Sequence, residues 1–212
     1  MPRCPGGALL ALGSGSRPNR RRGALLGLDT LGAVLGQVRV VDLEPLYDML
    51  DKRFEELNIE GAVISGDDLM LLQRGNKKGA NATIRFPWPA IEAWLEGNST
   101  APLKPRSVRE YDLGAVDGVS FGFTDATALP DGGWLFSAVA EATDNSYDDG
   151  ACRGAAIGIV GPDDALRAMR SLTPRRKVEG IEVRLVHGKV VVGMVTDADD
   201  PDQPAEYGTA TL

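Results

Sequence analysis

Cysteine, histidine, basic charge and long apolar runs are all scarce in this 212-residue chain, and each scarcity closes off a class of function. The two cysteines, Cys4 and Cys152, lie far apart and match no metal-ligand spacing. Neither a disulfide framework nor a zinc knuckle is expected. The one histidine, His187, falls in a His-Gly turn. That matters for Gly118-Val119-Ser120-Phe121-Gly122, which matches the nucleophile-elbow pattern: an elbow needs a strand-to-helix turn and a histidine partner, whereas residues 123–129 read as strand. No apolar run reaches the roughly 18 residues of a membrane span, so no membrane partner is expected. A net charge of -7 and a pI of about 4.8 argue against nucleic acid, whose phosphates need a basic face. An acidic chain suits cations or neutral metabolites better.

What the chain has is turns. Its 26 glycines and 13 prolines punctuate short apolar and β-branched stretches, which predicts an all-β fold in one domain over residues 1–212. Strands are expected near residues 7–12, 24–28, 37–41, 82–86, 108–113, 118–123, 134–139, 154–160, 190–195 and 207–212. Three short helices interrupt them, over residues 44–57, 89–97 and 163–170, the first two with apolar residues at helical spacing. Trp88, Trp94 and Trp134 are expected in the core.

The richest stretch, residues 57–76, is a strand opened by Glu60-Gly61, a tight turn, a second apolar strand and a polar exit. Its parts recur. Ile59-Glu60-Gly61, Thr124-Asp125-Ala126 and Val178-Glu179-Gly180 each place a carboxylate where a strand begins, and each strand ends in a Gly-containing turn. Unequal spacing around such a repeat suits β-propeller blades, where a four-stranded unit takes roughly 40 to 50 residues. We therefore expect an incomplete β-propeller-like fold of about four partial or full blades with short helical insertions. Pro5-Gly6-Gly7-Ala8-Leu9-Leu10 matches the turn and second strand at Pro130-Asp131-Gly132-Gly133-Trp134-Leu135, but Met1-Pro2-Arg3-Cys4 stands where the acidic strand belongs. The expectation is a chain truncated at its N-terminus, with an unpaired blade edge near residues 7–12 open to self-association. Arg20-Arg21-Arg22 follows the apolar residues 8–12, the reverse of a signal peptide, which favours the cytoplasm.

Asn58-Ile59-Glu60-Gly61-Ala62, the run from Asp68 through Asn76, Phe123-Thr124-Asp125-Ala126-Thr127-Ala128-Leu129 and Val178-Glu179-Gly180-Ile181 resemble an uncharacterised bacterial β-propeller family. More distantly they are similar to the phytase-like, esterase-like propeller domain. The closer resemblance transfers no catalytic residue. The distant one implies metal-assisted hydrolysis of esters or phosphoesters.

Two groups of residues are the candidates for chemistry. Glu60, Asp125 and Glu179 would gather at one mouth of the channel if the innermost strands begin there. Converging carboxylates attract Ca²⁺, which takes roughly 6 to 8 oxygen ligands, and a bound metal would activate water. The alternative is that each carboxylate caps backbone N–H groups between blades. The second group sits on the loops leaving the inner strands: Arg74 and Asn76, Glu141 and Asp144, Thr196 and Asp197. Arg74 would hold a phosphate or carboxylate as a fork, or else form a salt bridge between blades. Asp197, with Asp199, Asp200 and Asp202, resembles a calcium loop but lacks the glycine of an EF-hand, and a solvated acidic loop is the alternative. Gly13-Ser14-Gly15-Ser16-Arg17 is no P-loop, because no Gly-Lys-Ser/Thr follows. The expected function is binding of a small ligand or a divalent cation with metal-assisted hydrolysis. The alternatives are a non-catalytic scaffold and a truncated product without independent function.

Overall fold

Two-residue turns in the left-handed region close three hairpins. Gly66-Asp67 has φ 58° at the glycine, Asp117-Gly118 has 51° and 76°, and His187-Gly188 has 51° and 76°. Positive φ at both central residues matches the twist of paired strands, which is why Asp-Gly and His-Gly dipeptides turn here. The computed structural model describes residues 1–75, 79–142, 150–200 and 202–211. Asn76 and Asp144 lie outside the described residues. Among the described residues the strands form four sheets, and the chain divides into two units, Met1–Gln73 with Ala82–Glu110 and Arg74–Asn81 with Tyr111–Leu212. The fold is mostly β, with every recorded strand pair antiparallel.

The first unit begins with a three-stranded sheet of β1 (Leu9–Leu12), β2 (Arg22–Leu28) and β3 (Val34–Asp42). Helix α1 (Glu44–Asp51) follows, with Leu46, Tyr47 and Leu50 buried on one face. The sheet of β4 (Ile59–Ser65), β5 (Asp68–Gln73), β6 (Asn81–Pro87) and β7 (Ser107–Tyr111) comes next, with α2 (Trp88–Leu95) between β6 and β7. Leu10, Leu43, Tyr47, Leu69, Leu71 and Phe86 belong to one continuous core. The Tyr47 hydroxyl donates to the Gly13 carbonyl, and Gly15, at φ 74°, leaves its ring room: a Cβ there would lie 2.8 Å from Tyr47 Cδ2. The glycine-serine loop at residues 13–16 thus seats a tyrosine.

Helix α1 stops at Asp51, short of the expected residue 57. The N–H groups of Arg53 and Phe54 both return to the Leu50 carbonyl, and Phe54 and Leu57 are buried in the turn that follows. The edge expected to stand open near residues 7–12 is partly met by the chain's own start. Leu10 N–H donates to the Pro2 carbonyl, Cys4 N–H to that of Ala8, and Arg3 bridges Leu9. Backbone groups next to a strand take whatever segment can satisfy them, and residues 2–4 double back to do so.

In the second unit β8 (Ala115–Val116), β9 (Val119–Ala128), β10 (Trp134–Ala142), β11 (Ala151–Val160) and β12 (Leu166–Ser171) make a five-stranded sheet in the order β12-β11-β10-β9-β8. A last sheet joins β13 (Val178–Val186), β14 (Lys189–Thr196) and β15 (Tyr207–Thr211). Strand β10 is buried from Trp134 through Glu141, as a near-continuous apolar run between two neighbours should be. Tyr111, Phe123, Trp134 and Phe136 pack edge-on or tilted, with centroids 5.0 Å apart for Phe123 and Phe136 and 5.7 Å for Tyr111 and Trp134.

The helix expected over residues 163–170 is a turn and a strand. Gly161 N–H bonds the Ala165 carbonyl, Asp163 Oδ1 accepts from Ala165 N–H, and Asp164 takes φ 60°. Pro-Asp-Asp is turn chemistry that outweighs a helix expected over only eight residues, and the open side of β11 then takes residues 166–171 as a strand.

Candidate functional site

The repeat read in the sequence has a structural counterpart in strand register. Pairing slips between Ile59 and Gly61 against β5, and between Val178 and Gly180 against β14, so Glu60 and Glu179 are each the extra residue of a β-bulge. In the β9-β10 hairpin Asp125 pairs Ser137 and Phe123 pairs Ala138, which leaves Thr124, beside Asp125, as the bulged residue. A bulge re-aims a side chain out of the regular alternation. Three hairpins bulge at the carboxylate of the motif or one residue before it.

What the re-aimed groups do is clearest in the second unit. Thr124 Oγ1 lies 2.7 Å from Ser137 Oγ and donates to the Val178 carbonyl at 2.7 Å. Asp125 Oδ2 accepts the Ile181 N–H at 3.0 Å. The pair therefore grips β13 on both sides of its own bulge. Burial pushes the Asp125 carboxyl above its ordinary pKa, with the Ile181 hydrogen bond pulling partly back. A raised acid pKa means that the native state holds the proton more tightly than the unfolded chain. Ionised Asp125 thus costs stability above its native pKa, and the cost fades as pH falls toward the ordinary carboxylate range. Asp125→Asn, which keeps an acceptor for Ile181, is expected to melt above the unsubstituted protein at pH 7.5, with the gap narrowing toward pH 4. Thermal melts at both pH values check this, and a gap that widens on acidification would contradict it.

Beside this latch lies a buried chain of ion pairs. Arg74 Nη2 donates to Glu141 Oε2 at 2.7 Å, and Lys177 Nζ stands 3.1 Å from Glu141 Oε1, 3.7 Å from Glu179 Oε1 and against Asp199 Oδ2. The Lys177, Arg74 and Glu141 side chains are 9%, 9% and 4% exposed. Glu141 thus has a cation against each of its oxygens, Arg74 on Oε2 and Lys177 on Oε1. Gly122, the last glycine of the elbow-like motif, serves this arrangement: a Cβ there would lie 2.8 Å from Arg74 Cγ. Ser120 sits within β9, reached through the Asp117-Gly118 turn, and not on a strand-to-helix corner.

An open cleft of about 350 Å³ borders the cluster, lined by Cys152, Arg175, Lys177, Asp197, Asp199 and Glu206 among others. Arg176 Nε bonds Glu206 Oε2 at 2.6 Å, and Asp197 Oδ1 caps the Asp199 N–H at 2.9 Å. Cys152 pairs with Glu141 across β10 and β11. Burial, with the nearby Glu141 charge adding to it, pushes the Cys152 thiol up, so it is a poor nucleophile at neutral pH.

Of the predicted site residues, Arg74, Glu141 and Glu179 come together around Lys177, while Asp197 lines the cleft and Asp125 is engaged with β13. Glu60 belongs to the first unit, where its Oε1 accepts from Asn58 Nδ2 at 2.8 Å. Among the described residues no group of three or more His, Cys, Asp or Glu side chains is disposed to hold a metal ion. Of the three carboxylates expected to converge on a cation, Glu179 alone lies beside the Lys177 ammonium.

The family of unknown function DUF6910 matches residues 1–201. The chain belongs to DUF6910. No curated protein and no solved structure matches it. For this DUF6910 chain the residue missed in the sequence is Lys177. Its signal was present: Arg175-Arg176-Lys177 is a basic run in an acidic protein, placed immediately before the strand that Glu179 opens. The hydroxyls of Thr124 and Ser137 were missed as well, although Thr124 stands next to the nominated Asp125.

Proposed function

We propose that this chain is a β-propeller-like protein, its four sheets serving as partial or full blades, and that it works as a non-catalytic scaffold or binding module. One observation carries the reading: the described carboxylates nominated for chemistry are already engaged with the protein's own donors. Glu60 is held by Asn58, Asp125 by Ile181 N–H, Glu141 by Arg74 and Lys177, Glu179 by Lys177, and Asp197 by Asp199 N–H. A carboxylate committed to an ammonium or a backbone donor has its desolvation offset in whole or in part, and a metal would have to displace that partner. The bulge shared by three hairpins and the grip of Thr124 and Asp125 on β13 support the blade reading. The cleft beside Lys177 is the natural place for a small polar ligand on such a scaffold.

The competing reading, taken from the phytase-like resemblance, is Ca²⁺-assisted hydrolysis of esters or phosphoesters. The two part in one experiment. Purified protein is assayed against phosphomonoesters, aryl esters and lactones with and without Ca²⁺, and its melting temperature is followed in Ca²⁺ and in NaCl of equal ionic strength. We expect no turnover and no melting shift specific to Ca²⁺. Turnover that depends on Ca²⁺, or a melting rise that NaCl does not reproduce, would overturn the scaffold reading.

A further inference from the structure

The outer edges of the four sheets are not guarded alike. An edge strand presents a row of unpaired N–H and C=O groups, and proteins blunt it with charge, proline or a bulge. Strand β3 carries Arg39 and a register break beside Gly36, which has φ 66°. Strand β7 carries Arg109 and Glu110, and β12 carries Arg167 and Arg170. Strand β15, Tyr207-Gly208-Thr209-Ala210-Thr211, has no charge and no proline, and its register with β14 runs unbroken from Val195↔Tyr207 to Val191↔Thr211. All five of its residues are exposed.

The sheets also differ in count. In the sheet of β4 to β7 and in that of β9 to β12, the third strand of the repeat is followed by a fourth, β7 on β6 and β12 on β11. In the last sheet β15 is the third strand, and among the described residues nothing pairs with its far side. The direction of its backbone follows from register. Thr196 N–H bonds the Glu206 carbonyl, so hydrogen-bonded pairs fall at Met194↔Gly208 and Val192↔Ala210. Tyr207, Thr209 and Thr211 therefore turn their N–H and C=O groups away from β14.

We propose that this edge docks the same strand of a second copy of the chain, antiparallel across a two-fold axis, making one continuous six-stranded sheet. An antiparallel edge is self-complementary about such an axis. Centred on Thr209, the pairing sets Thr209 against Thr209 and Tyr207 against Thr211, which aligns the outward groups as hydrogen-bonded pairs. Threonine against threonine is a favourable cross-strand pair. The absence of charge is what selects a second copy. Two chains of net charge -7 repel, and an uncharged edge lets them meet without facing like charges. A five-residue edge buries far less than the roughly 1,200 Å² of a standard stable interface, so the dimer is weak and concentration-dependent. The inference rests on the edge and not on the proposed function, and it holds whether or not the protein is an enzyme.

Sedimentation velocity on the 212-residue protein, from micromolar to near-millimolar concentration, tests it together with amide exchange at the same concentrations. The mass should move from one chain toward two, while the Thr209 and Thr211 amides gain protection and those of Gly208 and Ala210, already bonded to β14, do not change. Thr209→Pro removes an outward N–H without breaking the β14 ladder, and Thr209→Lys adds charge while keeping the N–H; both should remain single chains with an unaltered melting temperature. Three outcomes would each overturn the proposal: a single chain at the highest concentration, a dimer in which Thr209 exchanges as in the monomer, or a folded Thr209→Lys that dimerises like the unsubstituted protein.

Discussion

Lys177→Met is expected to lower the stability of the protein by about 3 kcal/mol, toward the lower end of what breaking a buried ion pair costs. The ammonium it removes stands among Glu141, Glu179 and Asp199, and the first of these is almost wholly buried. Without it, Glu141 keeps Arg74, while Glu179 and Asp199 lose the ammonium beside them. Each was desolvated on folding, and that cost remains after the attraction that offset it has gone. The estimate stays low in the range because the Glu179 and Asp199 side chains are 28% and 26% exposed, so water can reach them. Urea denaturation checks the loss, and a second substitution tests its cause. Glu141→Gln retains an acceptor for Arg74 and removes the most deeply buried charge, so the double variant Lys177→Met/Glu141→Gln should be more stable than Lys177→Met alone. If the double variant falls by the sum of the two single losses, the cluster does not act as a unit. If Lys177→Met is neutral, the attraction in the cluster does no more than cover its desolvation.

Gly158→Ala is expected to cost about 2 to 3 kcal/mol, the upper part of the range for overpacking a core, although it adds one methyl group. Gly158 faces Phe136 directly across the β10-β11 ladder, and a Cβ there would lie 2.1 Å from Phe136 Cζ and 2.4 Å from Cε1. The ring has nowhere to go. It is fully buried, meets Phe123 edge-on at 5.0 Å and leans on Trp134 at 5.6 Å. Either the β10-β11 pair parts locally or the aromatic cluster repacks. Phe136→Leu, which makes room at the price of a cavity, should therefore rescue Gly158→Ala in part, giving a double variant more stable than the two single losses predict. Denaturation midpoints of the four proteins in the cycle provide the measurement, and strictly additive losses would mean that the methyl group clashes with something other than Phe136.

The hairpins turning at Gly66-Asp67, at residues 130–133 and at His187-Gly188 were legible because glycine reaches positive φ where other residues strain, whereas the one at Asp117-Gly118 was not, Gly118 having been read as strand. The buried strand β10 was legible from its near-continuous apolar run. Strand β9 was harder: its sequence reads as two strands, near residues 118–123 and from Thr124 onward, yet it is one strand from Val119 to Ala128. The bulge at Thr124 explains the split, since one extra residue shifts the period-two pattern and looks like a break. The stretch 163–170 misled in the opposite way, because so short a segment fits helix and strand equally until the turn before it is weighed. At the site, the sequence supplied the carboxylates Glu141 and Glu179 and the guanidinium of Arg74. It did not supply their common partner, because which cation reaches a buried carboxylate depends on how strands distant in the chain are stacked. Lys177 was visible only as part of a basic run.

Every sheet in this chain pairs strands that are consecutive in sequence, from β1-β2-β3 to β13-β14-β15. Where such a meander turns through a short loop, little chain entropy is lost before contacts form; the pairing of β7 with β6, across α2, is the longer closure. Each sheet can therefore assemble locally, as soon as its own residues have been synthesised and without waiting for distant chain. The later and slower events are those that join sheet to sheet, and in the second unit these include the grip of Thr124 and Asp125 on β13. A lesion at that grip should leave the hairpins forming at their usual rate while delaying the acquisition of tertiary order.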